Sequence, residues 1–276
     1  MKEPLRITLL RHAVLLAFVA IALYPVLNVI SISLRPGDRL RSTDLAIIPA
    51  DWTFASYTAL FTEQPFLRWL GNSLVVSAVV TLTGVALAST AGYAFSRFRF
   101  IGRKATMLAI LTTQMFPATM LLLPLYVLIA RLGLVDTWLG LMIFYTATAL
   151  PFCVWQMKGF YDTIPASLEE AARIDGCSRA QAFWHVVLPL ATPGLVITAL
   201  FSFMTAWSEY IVAAQVMQNE SMFTLPLGIK GFQASLSSQW GLYAAASILV
   251  SIPVVAVFLA LSKYLVNGLT VGSVKE

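Results

Sequence analysis

Few side chains in this sequence could do chemistry, and their spacing decides what kind. His12 and His185 each stand without a second ligand or a nucleophile at a useful separation, and Cys153 and Cys177 form neither a disulfide framework nor a zinc spacing. The sequence contains no G-x-x-x-x-G-K-[ST] phosphate loop. Two features remain. One is Glu209 in an apolar run, flanked by Phe203, Trp207 and Tyr210. An ionisable group in an apolar helix is costly and marks a functional candidate: the rings could stack on the apolar face of a sugar while the carboxylate accepts bonds from hydroxyls. Equally, Trp207 and Tyr210 could form an interfacial belt, with Glu209 satisfied across a subunit interface. The other feature is a polar stretch, Glu169 to Pro189, reading EEAARIDGCSRAQAFWHVVLP.

That stretch has readable local chemistry. Ser167 with Glu170, and Ser178 with Gln181, have capping-box spacing, which predicts two short helices. Asp175-Gly176 between them favours a turn, because Gly tolerates positive φ and Asp bonds its own backbone. Leu188-Pro189 should end the unit, since proline donates no backbone bond and disfavours helix at the residue before it. Glu169 and Glu170 lie near the positive end of the first helix dipole, with Arg173 at helical spacing from both. In the second helix Ala182, Phe183, Val186 and Val187 form one apolar stripe, which predicts either a partner protein surface or a bilayer surface against it.

The elements that must position this stretch are membrane spans. Of 276 residues 59% are hydrophobic and only 11% charged, with mean hydropathy +0.81, so a soluble domain is excluded. Counting runs of about 20 apolar residues predicts an all-α integral membrane protein made of a single transmembrane domain over 1–276. Its six spans fall at 13–34, 72–96, 105–130, 137–157, 190–217 and 242–262, with a cytoplasmic loop at 163–189 and a C-terminal tail at 264–276. The net charge of +5 could suggest nucleic acid, but the basic residues sit at the ends of apolar runs and read as topology signals. Lys2, Arg6, Arg11, Arg97, Arg99, Arg103, Lys104, Lys158, Arg173, Arg179, Lys263 and Lys275 fall on one side if both termini are cytoplasmic, which supports N-in and C-in. Ala20-Ile21-Ala22 looks like a signal cleavage site, yet the apolar run continues to Leu34, too long for a signal segment. Pro25, Pro117, Pro124, Pro151 and Pro253 lie inside spans and can kink them.

Glu170-Ala171-Ala172, then Gly176, Phe183, Val186 and Leu188-Pro189, resemble the EAA loop of binding-protein-dependent ABC importer permeases. Cys177 departs from the alanine usual there but is small and apolar. The ending Leu265 to Lys275 is similar to that of the carbohydrate-uptake branch, the MalG-like permeases of maltose and trehalose importers. The resemblance implies a six-helix permease of the bacterial cytoplasmic membrane that is not itself an enzyme. It would pair with a second, paralogous permease, a dimer of cytoplasmic ATPase subunits and an extracytoplasmic sugar-binding protein, with ATP and Mg on the ATPase and no cofactor on this chain. It implies ATPase coupling through Glu169, Glu170, Ala171, Ala172, Asp175, Gly176, Phe183, Leu188 and Pro189. It further implies a tail that reaches the ATPase through Gly268, Leu269, Thr270, Gly272 and Lys275. The outer loop with Asn219, Pro226, Gly228 and Gly231 would meet the binding protein, or serve as a plain connector. The Trp207-Ser208-Glu209-Tyr210 stretch resembles a Trp-x-Glu-aromatic pattern frequent in this branch, and in the maltose-type importer the sugar is held mainly by the partner permease. Another sugar, or a polyol such as glycerol-3-phosphate, is the alternative substrate, and a stand-alone channel or secondary carrier the alternative class.

Overall fold

A computed structural model describes residues 5–38, 40, 48–233 and 238–271, and every regular element among them is helical. In chain order these are α1 (Leu5–Ser33), α2 (Ala55–Thr62), α3 (Phe66–Arg97), α4 (Arg103–Thr113), α5 (Ala118–Arg131), α6 (Trp138–Thr163), α7 (Ala166–Ile174), α8 (Arg179–Ala182), α9 (Leu188–Leu190), α10 (Thr192–Ser208), α11 (Ile211–Val216), α12 (Leu225–Lys230) and α13 (Trp240–Val271).

Four helices among the described residues are long and apolar enough to cross a membrane: Arg6–Ser33, Phe66–Arg97, Trp138–Thr163 and Trp240–Tyr264. A fifth candidate is the pair Arg179–Leu190 and Thr192–Ser208, bent by 77°. The expected third span is not one helix. Pro117, with φ −55 and ψ 130, stands outside the helical region and splits it into α4 of 11 and α5 of 14 residues. A proline there removes a helix donor and forces the residue before it out of the α region. The expected fifth span is likewise interrupted, by extended backbone at Glu209 with φ −73 and ψ 128. The expected connectors are also more helical than their composition suggests: α2 lies in 35–71 and α12 in 218–239.

The chain divides into two compact units, Met1–Leu67 with Gly228–Ile252, and Arg68–Leu227 with Pro253–Glu276. In the first, the end of α1 is tied to the α2 segment: Thr53 N–H donates to the Leu34 carbonyl at 2.8 Å, and the Ser33 and Tyr57 hydroxyls lie 2.9 Å apart. In the second, α3, α6 and α10 form the body that carries the polar stretch. Gly92 is required there, because a Cβ on it would stand 2.8 Å from Met157 Cβ and 3.0 Å from the Lys158 backbone nitrogen. Small residues let membrane helices approach this closely and gain dispersion contacts. Around that crossing Ala88, Phe95, Cys153, Met157, Tyr161, Phe183 and Val187 bury into one core, so the polar stretch is continuous with the body packing.

Candidate functional site

The stretch from Ala166 to Leu190 folds as a two-helix arm. Its first helix starts earlier than capping chemistry predicts: α7 opens at Ala166 behind Pro165, with no side-chain cap, so Ser167 lies inside the helix and the Ser167–Glu170 box does not form. Pro165 fixes its own φ near −58 and delivers the chain straight into the first turn. The helix ends as the Asp-Gly pair predicts. Gly176 adopts φ +95 and donates to the Arg173 carbonyl at 3.1 Å, while Cys177 N–H donates to the Ala172 carbonyl at 3.0 Å. That pairing is a Schellman motif, and only glycine adopts its left-handed position at little cost. The second capping box does form: Gln181 N–H donates to Ser178 Oγ, and Ser178 N–H to Gln181 Oε1 at 2.8 Å.

Leu188-Pro189 does not close the arm. Leu188 keeps φ −64 and ψ −44, and the chain turns only at Ala191. The preceding residues Phe183–Val187 form a π-helical turn, with Leu188 N–H donating to the Phe183 carbonyl. A widened turn relieves the clash that a proline ring otherwise makes with the carbonyl four residues back. The apolar stripe also faces the body of its own chain rather than a partner. Ala182, Phe183 and Val187 are buried, and the Phe183 ring lies 4.6 Å from that of Tyr93 on α3. What the arm presents outward is Leu168, Ile174 and Trp184, 42%, 86% and 60% exposed.

The two glutamates diverge. Glu170 is exposed, with Ala171, Asp175 and Gly176, whereas Ala172 is half-buried. Glu169 turns inward, its side chain only 12% exposed. It forms an ion pair with Arg97 at the end of α3, not with Arg173, and accepts the Tyr93 hydroxyl at 2.8 Å. Arg97 Nη2 also donates to the Ile164 carbonyl at 2.7 Å, where α6 ends. A cleft of 180 Å³ beside the pair is lined by Tyr93, Arg97, Phe98, Glu169, Glu170, Arg173 and Arg179 among others. Arg179 sits over the Phe98 ring at 5.7 Å. Arg97 reads from sequence only as a topology charge. Its spacing of four from Tyr93 was the available signal, since that places both on one helix face.

Glu209 is not inside an apolar helix. It sits at the break after α10, where its carboxylate accepts Val212 N–H at 2.8 Å, Ala213 N–H at 3.2 Å and the Tyr145 hydroxyl at 2.8 Å. A buried N-terminus of a short helix leaves donors unpaired, and Glu209 pairs two of them. Phe203 and Trp207 are buried and stacked at 5.4 Å, and Tyr210 is half-buried beside the break. The segment 218–225 is held by side chains from α3, α6 and the turn that precedes α6. Asp136 accepts Gln218 and Asn219 N–H at 2.9 and 3.0 Å, and Trp69, Asn72 and Trp138 donate to carbonyls between Glu220 and Phe223. Pro226 and Gly228 lie within α12, and Gly231 closes its end with a bond to the Gly228 carbonyl. Gly268, Leu269 and Thr270 continue α13 as helix, while Gly272 and Lys275 lie outside the described residues.

Long apolar helices with a built polar arm packed on the ends of α3 and α6 define an all-helical integral membrane protein. The model of the family described as binding-protein-dependent transport system inner membrane component matches residues 82–271, and the chain belongs to that family. It is 35% identical to the inner membrane ABC transporter permease protein YcjP of Escherichia coli over 94% of this chain and 93% of that one. To the maltose/maltodextrin transport system permease protein MalG of Yersinia pestis it is 37% identical, over 96% and 92%. A crystal structure of a bacterial ABC transporter involved in the import of the acidic polysaccharide alginate contains a chain that superposes with TM-score 0.81 at 27% identity, covering 96% of this chain and 98% of that one. The chain is therefore a non-catalytic ABC importer permease subunit of the inner membrane.

Proposed function

We propose that this subunit carries an oligosaccharide of the maltodextrin class into the cell. In this reading a cytoplasmic ATPase dimer drives it through the α7–α8 arm, a second permease completes the pathway, and an extracytoplasmic binding protein delivers the sugar. The carrying observation is the arm itself. It is anchored inward by Glu169 and Phe183 and presents Leu168, Ile174 and Trp184 outward beside the exposed Glu170. An exposed apolar set of this kind on a membrane protein's polar arm suits a protein groove. ATP and Mg belong to the ATPase subunits. Closure of the ATPase dimer displaces the arm, and the arm displaces α3 and α6. The sugar class is supported by the maltose/maltodextrin and alginate importers among the similar proteins; neither supports trehalose.

With Phe203 and Trp207 packed in the body and Glu209 engaged as a cap, these side chains hold the shape of the pathway wall rather than grip sugar. The test is uptake into proteoliposomes holding this chain, the second permease and the ATPase, with labelled maltodextrin and trehalose compared at equal binding-protein load. ATP-dependent maltodextrin uptake supports the reading, and preferential uptake of trehalose overturns the substrate class.

A further inference from the structure

Glu169 and Glu170 are neighbours in sequence yet meet opposite surroundings, one paired inside the chain and the other exposed. Successive helical residues point about 100° apart, so the two carboxylates can meet different surroundings, as they do here. We propose that Arg97 and Glu169 are a positioning pair, a strut that carries displacement of the arm into α3, and that Glu169 takes no part in docking. This rests on the importer reading above.

The connections run in several directions from one guanidinium. Arg97 pairs with Glu169 in the first turn of α7, donates to the Ile164 carbonyl at the end of α6 at 2.7 Å, and reaches Ser96 Oγ at 3.2 Å. Ser96 Oγ in turn donates to Asp162 Oδ1 at 2.6 Å, and Asp162 pairs with Lys158 one turn earlier on α6. The other oxygen of Glu169 accepts Tyr93, whose ring packs on Phe183 beyond α8. Both halves of the arm are thereby referred to the last turn of α3. Apolar side chains slide past one another with little directional preference, whereas a guanidinium fork fixes distance and angle together. The pair is largely withdrawn from water, at 15% and 12% exposure, so salt screens it weakly.

A strut and a docking residue fail differently. In the assembled transporter with ATPase and binding protein, Glu169→Gln and Arg97→Gln should leave ATPase co-purification intact. They should lower the sugar moved per ATP hydrolysed by about fivefold or more, the low end of typical coupling between sites. Glu170→Gln should instead weaken ATPase retention. The reversed pair Arg97→Glu with Glu169→Arg should recover part of the ratio, and the single variants should lose it at an unchanged melting temperature, which a purely local stability loss would not allow. An unchanged ratio in both single variants overturns the strut while leaving the importer reading standing, and so does loss of ATPase retention in Glu169→Gln. If the unmodified chain transports without ATP, the importer reading fails and the strut fails with it.

Discussion

Gly176 is the point where the arm is most sensitive to a single substitution. Its φ of +95 is the turn, and no atom lies within 4 Å of where a Cβ would stand, so a substitution meets backbone strain and not a clash. Alanine in the left-handed region costs about 1–2 kcal/mol, which lowers the ratio of formed to unformed turn roughly 5- to 30-fold. Proline is worse. It fixes φ near −65, removes the donor that bonds the Arg173 carbonyl, and releases the Cys177 bond to Ala172 that depends on the same turn. Two bonds at about 1 kcal/mol each plus the backbone term of about 1–2 kcal/mol give about 3–4 kcal/mol. That is a hundredfold or more, at about 1.4 kcal/mol per tenfold. Because α7 carries no buried residue, the loss falls on the arm and not on the body core. The assay is sugar transported per ATP hydrolysed in proteoliposomes, read beside the melting temperature. Gly176→Pro should abolish coupling with little change in melting, and Gly176→Ala should fall between. Coupled transport at the wild-type ratio in Gly176→Pro would refute the claim that the turn transmits motion.

Three further outcomes follow from the packing. Glu209→Gln removes one acceptor oxygen from two backbone donors and Tyr145, so melting should drop by the equivalent of about 1–3 kcal/mol with the KM for sugar unchanged; a raised KM at unchanged melting would make Glu209 a ligand. Gly92→Ala forces α3 away from Met157 and Lys158 and should destabilise by about 1–3 kcal/mol of overpacking, seen as earlier thermal unfolding in detergent; an unaltered melt contradicts the close approach. Ser178→Ala removes the α8 cap at about 1 kcal/mol and should speed proteolysis in 175–181; unchanged cleavage would show the cap to be idle.

The long apolar runs were legible because hydropathy is nearly the whole signal for a membrane helix, and α1, α3, α6 and α13 all overlap their expected spans. The arm was legible as two helices about a glycine turn, because the Ser178 cap and the positive φ at Gly176 are local, whereas the Ser167–Glu170 box fails because Pro165 starts the helix before it. What the arm faces was not. The spacing of Glu169 from Arg173 is satisfied in any α-helix, and nothing local says that Arg97, 72 residues earlier, is the nearer partner. The stripe through Phe183 was correct as a pattern, but the pattern does not say whether the covering surface belongs to the same chain. Pro189 misled for a related reason, since the rule assumes an α-turn before it and the chain widens that turn. Glu209 read as a charge in a helix because its helix break is made by the carboxylate's own bonds to Val212 and Ala213.

The claim that the arm receives ATPase motion is tested most directly by reconstitution. Proteoliposomes containing this chain, its second permease and the ATPase are loaded with ATP and offered the binding protein with labelled sugar, alongside the same assembly lacking residues 169–189. The account predicts uptake that requires ATP and binding protein, and its loss together with ATPase retention when the arm is removed. Uptake that persists without ATP, or an arm-deleted assembly that still couples hydrolysis to transport, would contradict it.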